Sequence, residues 1–226
     1  MEPYELLTNE PLSESMTPHV RSHPVLGEVL QHPLVYCVPY FPASAGWLNA
    51  QLAQKERLLT DAVSAGEWAR AIVLHERPWR ADAISRYASA MDDASYWELV
   101  AWAYTDSENV PENFALWGRL LCAERPERHR MMTQSEREVL ANLPDRVEVF
   151  RGDVRKQPRD YSWTIDRDVA AWFAKRTARL ENRSRALVLE GAVEKRFVLA
   201  YKDSRNESEL IVAPHHVSIS RTCLIT

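Results

Sequence analysis

The period of the apolar residues changes once along this chain, and that change divides what it can fold into. Upstream of Pro144 the apolar side chains recur at helical spacing. Trp47, Leu48, Leu52, Leu58 and Leu59 form one set; Trp68, Ala71, Ile72 and Leu74 form a second. Trp97, Val100, Ala101 and Tyr104 form a third, and Phe114, Trp117, Leu120 and Leu121 a fourth. Thr133 with Glu136 makes a capping box ahead of Val139 and Leu140, and Pro144 closes that helix. After Asp145 the pattern alternates. Val147, Val149 and Arg151 point one way, and Glu148, Phe150 and Gly152 the other. A helix N-capped by Asp166 carries Val169, Ala170, Trp172, Phe173 and Ala174; strand-like runs follow at 186–193, 196–202, 209–213 and 217–225. The expected class is α+β, with a mostly helical part over residues 1–144 and a β-rich core over 145–226. Within the first part, residues 1–45 read as an irregular arm. Residues 1–32 lack periodicity and are expected to pack on the body at Val20, Val25 and Leu26, while the prolines of 33–43 favour extended backbone.

Composition narrows the chemistry. The chain has 6 glycines, no two placed to make a glycine-rich phosphate loop, so a nucleotide would have to be gripped by side chains. The formal charge of −4 is unevenly spread. Residues 1–150 hold 13 Lys and Arg against 22 Asp and Glu, whereas 151–226 hold 15 against 10, so only the C-terminal part is basic. A basic C-terminal part suits an anionic ligand, and an acidic N-terminal part does not suit nucleic acid. Cys37, Cys122 and Cys223 form no Cys-x-x-Cys pair, which speaks against a disulfide framework or a zinc ribbon and for a reducing compartment. Met-Glu-Pro-Tyr-Glu lacks the basic start of a signal peptide, and the apolar stretch near 33–43 is too short to cross a bilayer. The expectation is a soluble protein acting in a cytoplasm, its own or that of a cell it enters, with no membrane partner.

Three short segments carry the candidate chemistry: Val-Phe-Arg-Gly at 149–152, Ser-Trp-Thr at 162–164 and Glu-Ser-Glu at 207–209. Arg151 can hold two oxygens at once, and Gly152 would let a ligand approach the backbone. Ser162 and Thr164 are two apart and share a strand face, while Trp163 points to the other face and suits a core. Glu209 opens the buried-strand signature Leu-Ile-Val-Ala, where a carboxylate is costly without work or a partner. Glu207 shares its face if the strand has already begun at Asn206.

In order and setting, these segments resemble the Arg-Ser-Glu branch of the ADP-ribosyltransferase superfamily over about residues 145–215. The resemblance implies NAD as co-substrate, contacted by Arg151, Gly152, Ser162, Trp163 and Thr164. It implies that Glu209 is the catalytic acid, with Glu207 the first acid of a Glu-x-Glu motif that orients an acceptor guanidinium. Such a carboxylate stabilises an oxocarbenium-like ribose, as in glycoside cleavage. The segment 201–206 would form the substrate loop, with Tyr201 and Arg205 as its candidate contacts; Tyr201 also suits a strand-end core position. The implied activity is mono-ADP-ribosyl transfer to a protein acceptor, an arginine before a nucleic-acid base. The alternatives are an NAD glycohydrolase and an inactive binding module of the same fold. Ser-Trp-Thr departs from the usual Ser-Thr-Ser of the family, and the gap between Arg151 and Ser162 leaves no room for a crossover helix.

Other residues read more plainly. His215 and His216 have no acid or cysteine spaced for a metal site, and in a strand they would face apart, so no metal is expected. Cys122 lacks a base partner, and Arg125, Arg128, His129 and Arg130 read as a solvated turn.

Overall fold

The computed structural model describes residues 10–107 and 110–225, and among them it is a mixed α+β fold, helical toward the N-terminus and β-rich toward the C-terminus. The chain divides into two compact units. One comprises Met1–Leu99 and Thr105–Glu108; the other comprises Val100–Tyr104 and Asn109–Thr226.

The first unit opens on a small antiparallel sheet, β1 (Val20–His23), β2 (Gly27–His32) and β3 (Val35–Cys37), in that spatial order. This corrects the expectation of an irregular arm for the described part of residues 1–45; residues 1–9 lie outside the described residues. The turn chemistry explains the difference. Gly27 takes a left-handed φ of 74°, and the ring Nδ1 of His23 accepts hydrogen bonds from the amides of Val25 and Leu26. Val25 and Leu26 therefore stand at the tip of a hairpin, 83% and 47% exposed, and do not pack on the body. Val20 does pack against the core as expected, and the fully buried packing residues are Val29, Leu30 and Val35. Leu30, Leu34 and Val35 join Met16, Tyr40, Leu48 and Leu52 in one apolar core. Leu48 and Leu52 come from α1 (Ala45–Ser64), which α2 (Trp68–Val73), α3 (Arg80–Tyr87) and the start of α4 (Asp93–Asp106) follow. Arg80 pairs with Asp106, tying α3 to the end of α4.

The second unit holds α5 (Phe114–Leu121), α6 (Gln134–Asn142) and a six-stranded sheet. Its strands are β4 (Arg146–Asp153), β5 (Ser162–Thr164), β6 (Ala186–Glu194), β7 (Val198–Lys202), β8 (Glu209–Val212) and β9 (Ser218–Ile225). All neighbours are antiparallel, in the order β7-β8-β5-β4-β6-β9. One face carries Val147, Val149, Trp163, Leu189, Val193, Tyr201, Leu210 and Val212 in a single core. Against the other lies α7 (Arg167–Leu180), whose Ala170, Ala174 and Ala178 pack with Val188 and Phe150. Asp166 caps α7 by accepting from the amides of Asp168 and Val169.

The β-rich unit thus begins well before residue 145, where the sequence period changes. Helix α6 belongs with the sheet because Glu136 fastens it to the end of β7. The Glu136 carboxylate accepts from the Thr133 amide at 2.8 Å, completing the capping box, from Lys202 Nζ at 3.0 Å and from the Asp203 amide at 3.0 Å. Lys195 Nζ reaches the carbonyls of Ala141 and Leu143 from the other side. The Tyr201 amide, on the outer strand of the sheet, donates to Met132 Sδ. An edge strand that would otherwise offer unpaired amides is covered in this way.

Burial alone would raise the Glu136 pKa, but the amides of Thr133 and Asp203 and the Lys202 ammonium outweigh it and hold the carboxyl below its ordinary value. A depressed carboxyl pKa contributes stability above the unfolded-state value, and that contribution is lost as pH falls through the folded one. Glu136→Ala should therefore lower stability by ~2–3 kcal/mol at pH 7, through a lost cap and an orphaned Lys202. Chemical denaturation checks this, and the gap to wild type should narrow when the pH drops below the ordinary glutamate range.

Candidate active site

The order of the sheet brings the three motif segments together. β8, β5 and β4 are adjacent, so Glu209, Ser162 and Arg151, up to 58 residues apart in the chain, sit on neighbouring strands. Registers Thr164 to Glu209 and Phe150 to Thr164 fix their relative heights.

Arg151 is a hub. Its Nη1 donates to the Ser162 carbonyl at 2.6 Å, its Nη2 to Asp160 Oδ2 at 3.0 Å and its Nε to Asp153 Oδ2 at 3.3 Å. Burial works against the guanidinium charge, but Asp160 and Asp153 more than offset it, and its pKa is raised. The side chain expected to grip a pyrophosphate is spent on the protein itself. Its work is to hold β5 and the approach to it.

Asp160 is the residue that sequence reasoning missed. While Oδ2 takes Arg151, its Oδ1 accepts from the Tyr161 amide at 2.6 Å, the Ser162 amide at 3.2 Å and the Tyr104 hydroxyl at 3.1 Å. A short polar side chain that bonds the backbone one and two residues on is a turn signature, and Asp two before Ser162 was the available signal. Tyr104 is buried, and its phenol is pushed well above its ordinary pKa by burial first, then by Asp160 and Glu209.

Glu209 is only 4% exposed at the first position of β8. Burial, aided by the negative charges of Asp160 and Glu207, raises its pKa; the Ser162 hydroxyl on the adjoining strand and the Arg205 guanidinium oppose that and do not cancel it. Glu207 lies outside the strand. Ser208 adopts a left-handed φ of 45°, so the alternation needed to put both glutamates on one strand face is broken between them. A serine in that region is uncommon and is held there by neighbours. Its amide donates to Asp203 Oδ1, its carbonyl accepts from the Ile165 amide, and Thr164 Oγ1 donates to the Glu207 carbonyl at 2.7 Å. The two carboxylates meet instead at one guanidinium: Arg205 Nη2 is 2.9 Å from Glu207 Oε2 and 3.9 Å from Glu209 Oε2.

The remaining candidates have structural positions. Thr164 is buried and also accepts from the Asp166 amide, so it joins β5, the Glu207 loop and the start of α7. Trp163 and Tyr201 are core residues of the sheet and present no surface to a ligand. Gly152 meets a helix, not a cofactor: a Cβ there would lie 2.0 Å from the Ala170 carbonyl oxygen and 2.4 Å from the Ala174 nitrogen. His215 and His216 lie in a short helical turn, not a strand, with rings 4.1 Å apart, and His216 stacks on Phe197. Among the described residues no group of three or more His, Cys, Asp or Glu is placed to hold a metal ion, and no helix is long and apolar enough to cross a membrane.

Comparison of the chain with protein-family models, curated proteins and solved structures finds no match in any of the three. The arrangement is therefore read from its own chemistry. It is a buried carboxylate with a raised pKa, next to a strand carrying a serine and beside a second carboxylate and a guanidinium.

Two outcomes follow. Gly152→Ala forces β4 and α7 apart against backbone atoms that cannot swing aside, so it should destabilise the fold by about 1–3 kcal/mol or more, read as a lower melting temperature. Glu209→Gln should do the opposite at pH 7. A raised carboxyl pKa means the neutral form is the stabilising one, fully present below the unfolded-state pKa and lost as pH rises through the folded one. The glutamine keeps a neutral amide at all pH. Its melting temperature should exceed wild type at pH 7, with the difference closing below the ordinary glutamate pKa.

Proposed function

We propose that this chain is a mono-ADP-ribosyltransferase that uses NAD as co-substrate and a protein arginine as acceptor. The observation that carries the reading is Glu209 itself: a nearly buried carboxylate with a raised pKa at the head of β8, with Ser162 on the adjoining strand and Glu207 beside it at the Arg205 guanidinium. Glu209 supplies the preorganised negative charge that stabilises the nicotinamide ribose as positive charge builds on it. Ser162, on the adjoining strand, would orient a ribose hydroxyl beside it. Glu207, closer to solvent on the adjoining loop, aligns an incoming guanidinium and takes its proton. Arg151 acts through Ser162 and Asp160, holding the strand that carries the hydroxyl, and does not itself touch a phosphate.

The residue types present suit the ribose end of NAD better than its phosphate end. Glu209 and Ser162 offer what a ribose hydroxyl and a developing cation need. No guanidinium of the Arg151 hub is left for the pyrophosphate, which must find its cation elsewhere in the basic C-terminal part. That same engagement favours a second reading, a non-enzymatic binding module. Calorimetry with NAD separates the two: no heat of binding at millimolar NAD selects the module.

The direct test is nicotinamide release from NAD by purified protein, with a labelled-NAD assay for modified acceptor in a cell extract. Glu209→Gln should release nicotinamide at least ~10²-fold more slowly, the loss typical of one preorganised electrostatic group, while melting no lower than wild type. Wild-type turnover in this folded variant rejects the assignment. Free ADP-ribose with no labelled macromolecule makes the activity a glycohydrolase.

A further inference from the structure

The chain carries a net charge of −4, yet one surface of the β-rich unit is strongly basic. Residues 155–159 and 175–185 hold eight Lys and Arg against a single acid, Glu181, and all eight cations are exposed. The two segments meet. Arg155 Nη2 donates to both oxygens of Glu181, at 3.1 and 3.2 Å, and Arg183 Nε lies 3.9 Å from the same carboxylate. The register of Asp153 opposite Leu187 brings the chain that leaves β4 alongside the chain that enters β6. Glu181 is thus already shared, and eight cations against one acid leave a surplus of seven positive charges.

Folding does not ask for that surplus. A cation in the last turn complements the C-terminus of a helix, but crowding further like charges beside it costs free energy. At the other end of α7 the charges balance, with Arg167 donating to Glu190 at 2.9 Å and Asp168 in the first turn. The inner side of the helix is apolar, Ala170, Ala174 and Ala178 packing on the sheet. Its outward arc mixes cations with two apolar side chains. Trp172 is 58% exposed and Leu180 70%, and at helical spacing both share that arc with Lys175, Arg176 and Arg179.

This mixture decides between the two polyanions that a basic surface can meet. A single-stranded nucleic acid is held through bare aromatic faces on which bases stack. Here the Arg176 guanidinium lies over the Trp172 ring, 5.8 Å from its centre, and Phe173 stands edge-on to that ring. An exposed leucine adds nothing to phosphate binding. A bilayer surface uses every part: anionic headgroups take the guanidinium groups, while tryptophan and leucine enter the boundary between headgroups and acyl chains. We propose that the C-terminal half of α7 and the turn at 155–159 form a docking surface for a bilayer rich in anionic lipids, with Trp172 and Leu180 as shallow anchors. The contact is peripheral, since among the described residues no helix can cross a membrane and the alanine face of α7 stays on the sheet. It departs from the expectation of no membrane partner, which looked only for a spanning stretch, and it does not depend on the activity proposed above.

The experiment mixes the purified full chain with vesicles of phosphatidylcholine alone, or of phosphatidylcholine with phosphatidylserine, and measures co-sedimentation. At about 0.15 M salt the chain should sediment with the phosphatidylserine vesicles only, and about 1 M salt, where the screening length falls to ~3 Å, should release it. Tryptophan emission should shift to the blue on binding, and Trp172→Phe should lose that shift. Arg176→Gln combined with Arg179→Gln, both at exposed positions, should weaken binding ~25-fold, about 5-fold per cation, while melting close to the wild-type temperature. Leu180→Ser should weaken it without altering the response to salt. Equal sedimentation with both kinds of vesicle or with neither, full binding by the double variant, or a blue shift kept by Trp172→Phe overturns the inference. Capture of a single-stranded oligonucleotide under conditions where the vesicles are left unbound overturns it too, and assigns the surface to nucleic acid.

Discussion

A positive charge buried between two negative ones organises the β-rich unit. Arg151 lies between Asp153 and Asp160, and each of its donor nitrogens has an acceptor. Burying one such charge is expensive, and the arrangement is tolerable only because the ion pairs and hydrogen bonds are complete. Losing either aspartate would leave one buried guanidinium nitrogen without its acceptor. Through Asp160 and the Ser162 carbonyl, the same contacts determine where β5 begins. Since β5 pairs with β8, with Thr164 opposite Glu209, the position of the candidate catalytic acid depends on a charge network two strands away.

This makes the site a place where stability and chemistry pull apart. Glu209 would be more comfortable neutral, and the fold keeps it nonetheless, at the head of a strand whose next three residues are fully buried. Ser208 adds a left-handed serine directly beside it. Strain and an unhappy charge at adjacent positions are features that folding alone would not select. A protein kept only for its shape would gain from an apolar or amide side chain at 209. Glu136 is the contrast: also buried and also a glutamate, but with both oxygens hydrogen-bonded and its pKa lowered, it is a fastening.

How much of this the sequence revealed depended on the range of the interaction. The alternation at 146–149 and the apolar runs within 186–193 and 209–213 became strands because such short-range patterns are a local property. The caps at Thr133 and Asp166 were legible for the same reason. The hairpin of 20–32 was not, because a proline-rich composition masked a turn that depends on one glycine φ and one histidine nitrogen. The true start of the β-rich unit was hidden too, since it depends on Glu136 reaching a loop 67 residues away. In the site, residue types were readable and roles were not. Arg151 and Gly152 stood out as ligand contacts by type, yet one is consumed by aspartates and the other by the backbone of α7. Both features need the third dimension, in which a neighbour from a distant segment has already taken the place a ligand would claim.

The charge around the site also says which part of a co-substrate it can favour. Within the described network, Asp153, Asp160, Glu207 and Glu209 face Arg151 and Arg205, an excess of acid once all are ionised. Such a field attracts positive charge and repels a pyrophosphate. Under the proposed function, the reacting end of NAD would lie among the carboxylates and the phosphates outside them, toward the surplus of arginine and lysine in residues 151–226. The raised pKa of Glu209 follows from the same crowding. Any ligand that brings positive charge to the carboxylates would lower that pKa and ionise the acid at the moment its charge is needed.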